Sequence, residues 1–293
     1  MSNYMKENDL EKKNHDGNTA FTLAAMSGNV QLALLMIEKN KKLAMIRNGK
    51  EDNLGMLPVQ MAALLGLKKM VNYLYKITRE ELKNEDRIEL LVTLIDNASY
   101  DVALSMVEEH PELADYRIKG DQNKIGETAL HALARKPLTF NDHFDNSKQG
   151  IWKRCCCHRT IMVENKKMDP KAVKPVELLW GTIVKRLDYF EISELIRKPW
   201  PLTYVAAKEG NINFLSILIR DHLDLIYKVD NDGCSIFHIA VKYRRANIFQ
   251  LVHRTPCIKN TIVASQRYQL IKIDSMLYQE PRSRCSESCG GSR

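Results

Sequence analysis

The sequence HDGNTAFTLAAMSGNVQLALLMIEKN, residues 15–40, predicts a turn, a short helix, a tight corner and a second helix. Asp16-Gly17 is a turn signal, and the Thr19 hydroxyl can accept hydrogen bonds from backbone N–H groups one turn into the helix. Gly28 stands where the chain must reverse, a place where a missing Cβ is useful. Apolar residues recur at helical spacing on both sides of it. Two helices this short are marginal alone, so we expect neighbours to cover them.

The same pattern returns along the chain. Copies of the first helix or its corner begin at Gly55, Gly126 and Gly233, and residues 206–211 repeat the corner. The ends of the second helices also align without gaps, at residues 38–47, 108–117 and 220–229. A period of roughly 32 to 38 residues is typical of stacked helix pairs. The sequence therefore predicts an all-α solenoid.

These residues resemble the ankyrin repeat, whose pattern is turn–Gly–x–Thr–Pro–Leu–His–x–Ala–Ala–x–x–Gly. The resemblance covers about residues 14–254 and implies an ankyrin-repeat solenoid of about six repeats, some of them degenerate, with projecting loops. The chain departs from the pattern where other residues replace the proline and where Thr22 replaces the histidine. We expect structural roles for the residues at motif positions, which are Gly17, Thr19, Gly28, Gly66, Gly126, Thr128, His131, Gly210, Gly233, Ser235 and His238.

Three segments carry a narrower resemblance. Residues 129–137, 206–211 and 236–241 look like plant ankyrin-repeat proteins that usually carry a C-terminal membrane domain, the PGG domain. This resemblance implies protein recognition without catalysis, in stress or defence signalling at membranes. The chain lacks the membrane half, which favours a truncated or alternatively spliced product. A soluble regulator that competes with full-length relatives is an alternative function.

The repeats are bounded and interrupted by segments of different composition. Residues 1–13 are polar, and residues 255–293 have a divergent composition expected to be disordered. Residues 138–175 break the period, and their Asn, Asp, Lys and Cys content favours a basic surface loop. Helical spacing returns after residue 175, and we expect this part to supply the second helix of the fourth repeat. No further repeat follows the apolar residues Ile248, Phe249, Leu251 and Val252, so we expect that edge to be partly exposed or covered loosely by residues 261–273.

Composition and charge limit the location and the classes of partner that we expect for the protein. The chain has 293 residues, of which 44% are hydrophobic and 27% charged, and a net charge of +8. Its apolar runs are far shorter than the roughly 20 residues of a membrane helix, and its first residues lack a signal-peptide core. These features favour the cytoplasm, with peripheral contact to an anionic membrane surface as an alternative. Nucleic acid is disfavoured as a partner because aromatic stacking platforms are few.

One cluster suggests chemistry, Cys155-Cys156-Cys157-His158. Zinc sites usually combine two separated pairs of converging ligands, and three adjacent cysteines point in different directions. A thiol- or metal-dependent enzyme is therefore the least favoured function. His131 and His238 could suggest catalysis, but at their motif positions the resemblance implies hydrogen bonds that tie one turn to the next. We expect no catalytic residue, cofactor or metal.

Contacts to a protein partner are expected on the loops between repeats. The basic residues predicted to make them are Lys50, Arg117, Lys119, Lys124 and Lys228. Charge that serves only solubility is the alternative role for these side chains.

Overall fold

The computed structural model describes residues 7–49, 55–119, 125–136, 170–230, 233–249 and 251, which form stacked helix pairs. The first helices are α2 (Ala20–Ser27), α4 (Pro58–Leu64), α6 (Asn84–Asp96), α8 (Ala129–Arg135), α11 (Leu202–Glu209) and α13 (Ile236–Lys242). The second helices are α3 (Val30–Lys39), α5 (Lys68–Thr78), α7 (Tyr100–Glu109), α9 (Pro170–Arg186) and α12 (Ile212–Asp221). A short α1 (Glu7–Leu10) precedes the stack, and α10 (Tyr189–Arg197) lies between α9 and α11. Short 3-10 turns span Lys41–Met45, Pro111–Ala114, Leu223–Ile226 and Ala246–Phe249.

The helices pack in two rows. Each first helix contacts the next, in the order α2, α4, α6, α8, α11 and α13. In the second row α3 contacts α5, α7 contacts α9, and α9 contacts α12. The two rows enclose one continuous apolar core that runs from Leu10 to Leu251. The predicted all-α solenoid is confirmed, and among the described residues no helix has the length and apolarity needed to cross a membrane.

The corner between the first and second helix of a repeat has the left-handed conformation. Its residue is Gly28 in the first repeat, with φ 71°, and Gly66 and Gly210 in two others, with φ 68° and 75°. Beyond the corner, the Asn29 N–H donates to the Ala24 carbonyl at 3.2 Å. This six-residue bond closes the last turn of the first helix and points the chain back along the stack.

Two repeats form the same corner without glycine. Ala98 has φ 51° and Arg244 has φ 56°. The corner bond is nevertheless present, from the Ser99 N–H to Leu94 at 2.8 Å and from the Arg245 N–H to residue 240 at 2.7 Å. Left-handed backbone is unfavourable for residues with a Cβ, so these two corners carry strain that the glycine corners avoid.

Amide side chains link three of the corners, those at Ala98, Gly210 and Arg244, to the preceding repeat. Asn97 Nδ2 donates to the Ala63 carbonyl at 2.9 Å, and Asn211 Nδ2 donates to the Lys136 carbonyl at 2.7 Å. Asn247 continues the series with a 2.6 Å bond from its Nδ2 to the Gly210 carbonyl. We call this series the corner ladder. Its bonds satisfy carbonyl groups at helix ends that have no intrahelical partner.

The loops between repeats return on themselves where they are described. The Asn48 N–H donates to the Met56 carbonyl at 2.9 Å, and the Ile118 N–H donates to the Glu127 carbonyl at 2.8 Å. Both bonds close the base of a loop between two repeats. The tips at residues 50–54 and 120–124 lie outside the described residues.

The fourth repeat differs from the predicted boundaries. Helix α9 begins at Pro170, so the last residues of the predicted 138–175 loop are helical; residues 137–169 lie outside the described residues. A proline at a helix start lacks only an N–H that would be unpaired there, and Pro175 lies inside the helix. Trp180 on α9 is fully buried, and its Nε1 donates to Asp221 at 2.9 Å, which joins α9 to α12.

The C-terminal edge is buried at two of the residues that were predicted to be partly exposed or loosely covered. Ile248 and Leu251 are both buried and belong to the continuous apolar core. The predicted covering by residues 261–273 lies outside the described residues. Residues 252–293, including the tail predicted to be disordered, lie outside the described residues.

The left-handed conformation of the corners predicts that two substitutions change the stability of the protein in opposite directions. Gly66→Ala should lower the free energy of unfolding by about 1–2 kcal/mol through backbone strain alone, because a Cβ there meets nothing within 4 Å. Ala98→Gly removes the same strain and should stabilise the protein by up to about 1 kcal/mol, less the entropy gained by the unfolded chain. Urea unfolding of the two variants measures both effects.

Gly28→Val and Gly210→Val should destabilise more than Gly66→Ala. A Cβ at Gly28 would lie 3.4 Å from Leu67, and one at Gly210 would lie 3.1 Å from Arg245. Valine adds branching to these contacts, which restricts its side chain further. Unchanged unfolding midpoints for both valine variants would contradict the role given to the corners.

Candidate functional site

The solvent-facing side of the first-helix row is the most regular surface of the stack, and we call it the first-helix face. One position on it lies two residues before the corner in the five repeats whose corner is described, and Arg135 holds the aligned position in the fourth repeat. From the first repeat to the sixth this position holds Met26, Leu64, Asp96, Arg135, Lys208 and Lys242. Adjacent first helices pack together, so the face changes from apolar to charged along the stack.

The N-terminal end of the first-helix face is apolar. Leu23 on α2 is 46% exposed, Leu64 on α4 is 53% exposed, and Leu65 at the end of α4 is 50% exposed. Their neighbours on the same helices, such as Phe21 and Ala62, are fully buried. The leucines therefore project away from the core, where burial of each side chain by a partner would be favourable.

The middle of the face is a network of opposite charges. Asp96 lies 4.0 Å from Arg135 and 3.6 Å from Lys136, both of the following repeat. Arg135 also pairs with Glu127. These partly exposed pairs contribute little to stability individually, but they neutralise the surface between the two ends.

The motif residues act at the starts of the first helices. The Thr22 N–H donates to Thr19 Oγ1 at 3.1 Å. In the fourth repeat the Thr128 N–H donates to His131 Nδ1 at 3.2 Å, and in the sixth the Ser235 N–H donates to His238 Nδ1 at 3.1 Å. These bonds satisfy backbone groups that the helix start leaves unpaired.

Glycines at the turns that precede the helices also have positive φ. Gly17 has φ 77° and Gly233 has φ 72°. A Cβ on Gly17 would collide with the backbone of Gly49 in the loop that leads to the second repeat. Gly126 contributes differently, because its carbonyl oxygen accepts a bond from an arginine.

His131 must be neutral to accept the hydrogen bond that caps the start of α8. Its Nδ1 accepts from the Thr128 N–H and lies 2.9 Å from the Thr128 hydroxyl. A protonated Nδ1 could not accept either bond. Burial and then the Arg117 charge lower the pKa of His131 from 6.5 to about 4; the Lys198 carbonyl opposes this shift, and Arg135 adds to it. The edge of the ring meets Trp200, with 5.9 Å between the ring centroids.

Two arginines at equivalent positions support the loop bases. Arg47 Nη1 donates to the Gly55 carbonyl at 3.1 Å, and its Nη2 contacts both oxygens of Asp86 at 2.7 Å. Arg117 Nη1 donates to the carbonyls of Gly126 and Lys198, each at 2.9 Å. The gapless alignment of residues 38–47 with 108–117 already contained this equivalence, and sequence analysis did not use it.

The predicted partner contacts have different surroundings. Arg117 is half-buried, and its guanidinium is engaged by two backbone carbonyls; its contact with a partner stays a prediction. Lys228 donates to Ser193 at 3.1 Å and remains 39% exposed. Lys119 is 82% exposed, with Glu85 at 3.9 Å. Lys50 and Lys124 lie outside the described residues.

The described residues contain no group of three or more His, Cys, Asp or Glu side chains that could hold a metal ion. An apolar crevice between α6, α7 and α9 is too narrow to hold a water molecule. Its lining, which includes Leu91, Leu104 and Leu178, has no titratable or nucleophilic side chain. Cys155-Cys156-Cys157-His158 lies outside the described residues.

Neutral His131 predicts a pH dependence of stability. Its pKa is lower in the folded state than the ordinary 6.5, so the unfolded state binds the proton more readily. Stability should therefore be highest above pH 6.5 and fall as the pH drops towards 4, by at most roughly 3 kcal/mol. His131→Gln should remove this part of the slope, because Gln60 already caps an equivalent helix start by accepting from the Leu57 N–H at 2.8 Å. Equal slopes for both proteins in urea unfolding between pH 4 and 7 would contradict the prediction.

Truncation of the Arg117 side chain to alanine should lower the stability of the protein more than the same truncation of Lys119. Arg117→Ala leaves two carbonyls without their charged donor and should cost about 2–3 kcal/mol. Lys119→Ala removes an exposed side chain and should change stability by less than about 0.5 kcal/mol. Thermal unfolding of both variants tests this, and an unchanged melting temperature for Arg117→Ala would contradict the structural role.

The comparison with known proteins concerns the N-terminal repeats. The family model described as "Ankyrin repeats (3 copies)" matches residues 2–86. No curated protein matches the chain. Ankyrin repeats are generally protein–protein interaction modules, and domains built from them are typically non-catalytic. The first two helix pairs and the start of α6 thus lie in a segment that matches ankyrin repeats.

Proposed function

We propose that this protein recognises a protein partner through its first-helix face, and that the apolar end of the face anchors the complex. The observation that carries this proposal is the exposure of Leu23, Leu64 and Leu65, each about half accessible on helices whose other sides are buried. A few apolar side chains that become fully buried commonly dominate the energy of an interface. The partner class is a protein, as is general for ankyrin repeats.

We further propose a role in plant stress or defence signalling. Support comes from the similarity of residues 129–137, 206–211 and 236–241 to plant ankyrin-repeat proteins of the PGG type. The proposed location is the cytoplasm or the surface of a membrane, where a net charge of +8 favours contact with anionic groups. Competition with full-length relatives for the same partner is the alternative form of this role.

Site-specific photo-crosslinking tests the proposed face. A benzoylphenylalanine at Leu64 should crosslink a protein that mass spectrometry then identifies. The same probe at Leu35 provides the matched control, because Leu35 is 61% exposed but lies on the second-helix row. The identified partner is purified for direct binding measurements.

The leucines should control affinity without affecting folding. Leu64→Lys should weaken binding of the purified partner about ten- to a hundredfold, since burial of one leucine is worth about 1.5–3 kcal/mol. Leu35→Lys should leave both affinity and melting temperature unchanged. Isothermal titration calorimetry measures the affinities. Equal crosslinking from both positions, or equal affinities for both variants, would refute the proposed face.

A further inference from the structure

The C-terminal end of the first-helix face gathers positive charge. Lys208 on α11, Lys242 at the end of α13, and Arg244 and Arg245 after it are all exposed. We call these four residues the basic corner. Arg245 lies 3.8 Å from Glu209, and its Nε donates to the Lys208 carbonyl. Within the part of the chain that the structure describes, Lys208, Lys242 and Arg244 have no carboxylate within ion-pair distance.

An aromatic ring holds two of these charges close together. Lys208 Nζ lies 5.3 Å from the centre of the Tyr243 ring, and Lys242 Nζ lies 5.9 Å from it. Each ammonium group is attracted by the face of the ring. Tyr243 thereby brings like charges from two adjacent repeats together, which favours the approach of negative groups.

The backbone of the corner is also unusual. Arg244 has φ 56° at the position where Gly28, Gly66 and Gly210 serve other repeats. A left-handed arginine is strained, and such strain is often found where a side chain has a function. A glycine at position 244 would relieve this strain, but it would remove one positive charge from the C-terminal end of the first-helix face.

We propose that the basic corner binds an acidic segment of the protein partner, with its carboxylates lying across repeats five and six. This inference rests on the proposed function and defines the chemistry of the partner. Alternate side chains of an extended chain lie about 6.6 Å apart, and adjacent helices lie about 8–10 Å apart. Several carboxylates on one segment can therefore each contact a different cation of the basic corner. A single phosphate could contact only some of these four cations.

The rest of the face limits the length of the acidic segment. Glu89 and Asp96 are exposed on α6, towards the middle of the same face. The cations there are already paired, Arg135 with Glu127 and Asp96, and Lys136 with Asp96. A long polyanion that followed the face would therefore gain little attraction beyond the basic corner, so a short acidic segment is sufficient. The apolar end of the first-helix face would then bind an apolar part of the same partner.

A fluorescein-labelled peptide of alternating glutamate and serine is the probe, and fluorescence anisotropy with the full chain at low salt measures its binding. Lys208→Glu combined with Lys242→Glu should weaken binding by about tenfold or more. The matched control is Lys69→Glu combined with Lys76→Glu, which changes the net charge equally at two exposed positions on α5. The control should bind nearly as well as the unaltered protein.

The Arg244→Gly variant distinguishes an effect on peptide binding from an effect on the stability of the fold. It should raise the melting temperature by relieving the left-handed strain and at the same time weaken peptide binding several-fold. Loss of affinity in a more stable protein cannot be attributed to unfolding. A melting temperature that rises with unchanged affinity would overturn the role of Arg244 in binding.

Other outcomes also decide the inference. No peptide binding, or equal weakening by the α5 control, would overturn it. Tighter binding of anionic vesicles or single-stranded DNA, lost in the same Lys208 and Lys242 variant, would assign the basic corner to a membrane or to nucleic acid instead. If a partner crosslinks at Leu64 but binds the basic-corner variants unchanged, this inference fails while the proposed function stands.

Discussion

The left-handed corner is the constraint on which the rest of the stack depends. A single residue with positive φ, such as Gly28 or Gly210, reverses the chain between two helices that are too short to be stable alone. Because the corner has the same geometry in repeat after repeat, it brings the first helices into one row and the second helices into another. The corner ladder then fixes three of these reversals against the preceding repeat, through the amide groups of Asn97, Asn211 and Asn247.

A regular corner also determines what the surface can present. The residue two positions before the corner emerges on the first-helix face in each repeat, whatever its chemistry. The fold therefore tolerates a leucine at position 64 and a lysine at position 242 equally well. Repeat stacks bury their helices only against neighbours, so the binding surface can vary from one repeat to the next without disturbing the core.

Much of the fold followed from patterns that have a local physical cause. Glycine corners and helical periodicity are visible in residues 15–40 alone, whereas the corners at Ala98 and Arg244 were not predicted because such residues rarely adopt positive φ. The start of α9 at Pro170 was missed because its composition is that of a loop. Arg117 was predicted to contact a partner because it lies on a loop between repeats, and its bonds to carbonyl groups at the loop base were not predicted. The first-helix face could be found only after the repeats were aligned position by position.

The junction of repeats four and five carries its own optical reporters. Trp180 is fully buried and hydrogen-bonded to Asp221, and Trp200 packs edge-on against His131. Indole emission responds to solvent, so in a Trp152→Phe variant, which removes the third tryptophan of the chain, the fluorescence of these two side chains reports the opening of this junction. Circular dichroism instead averages over all helices. In a stack whose repeats can unfold separately, the difference between the two signals measures how far the centre and the ends of the molecule lose structure together.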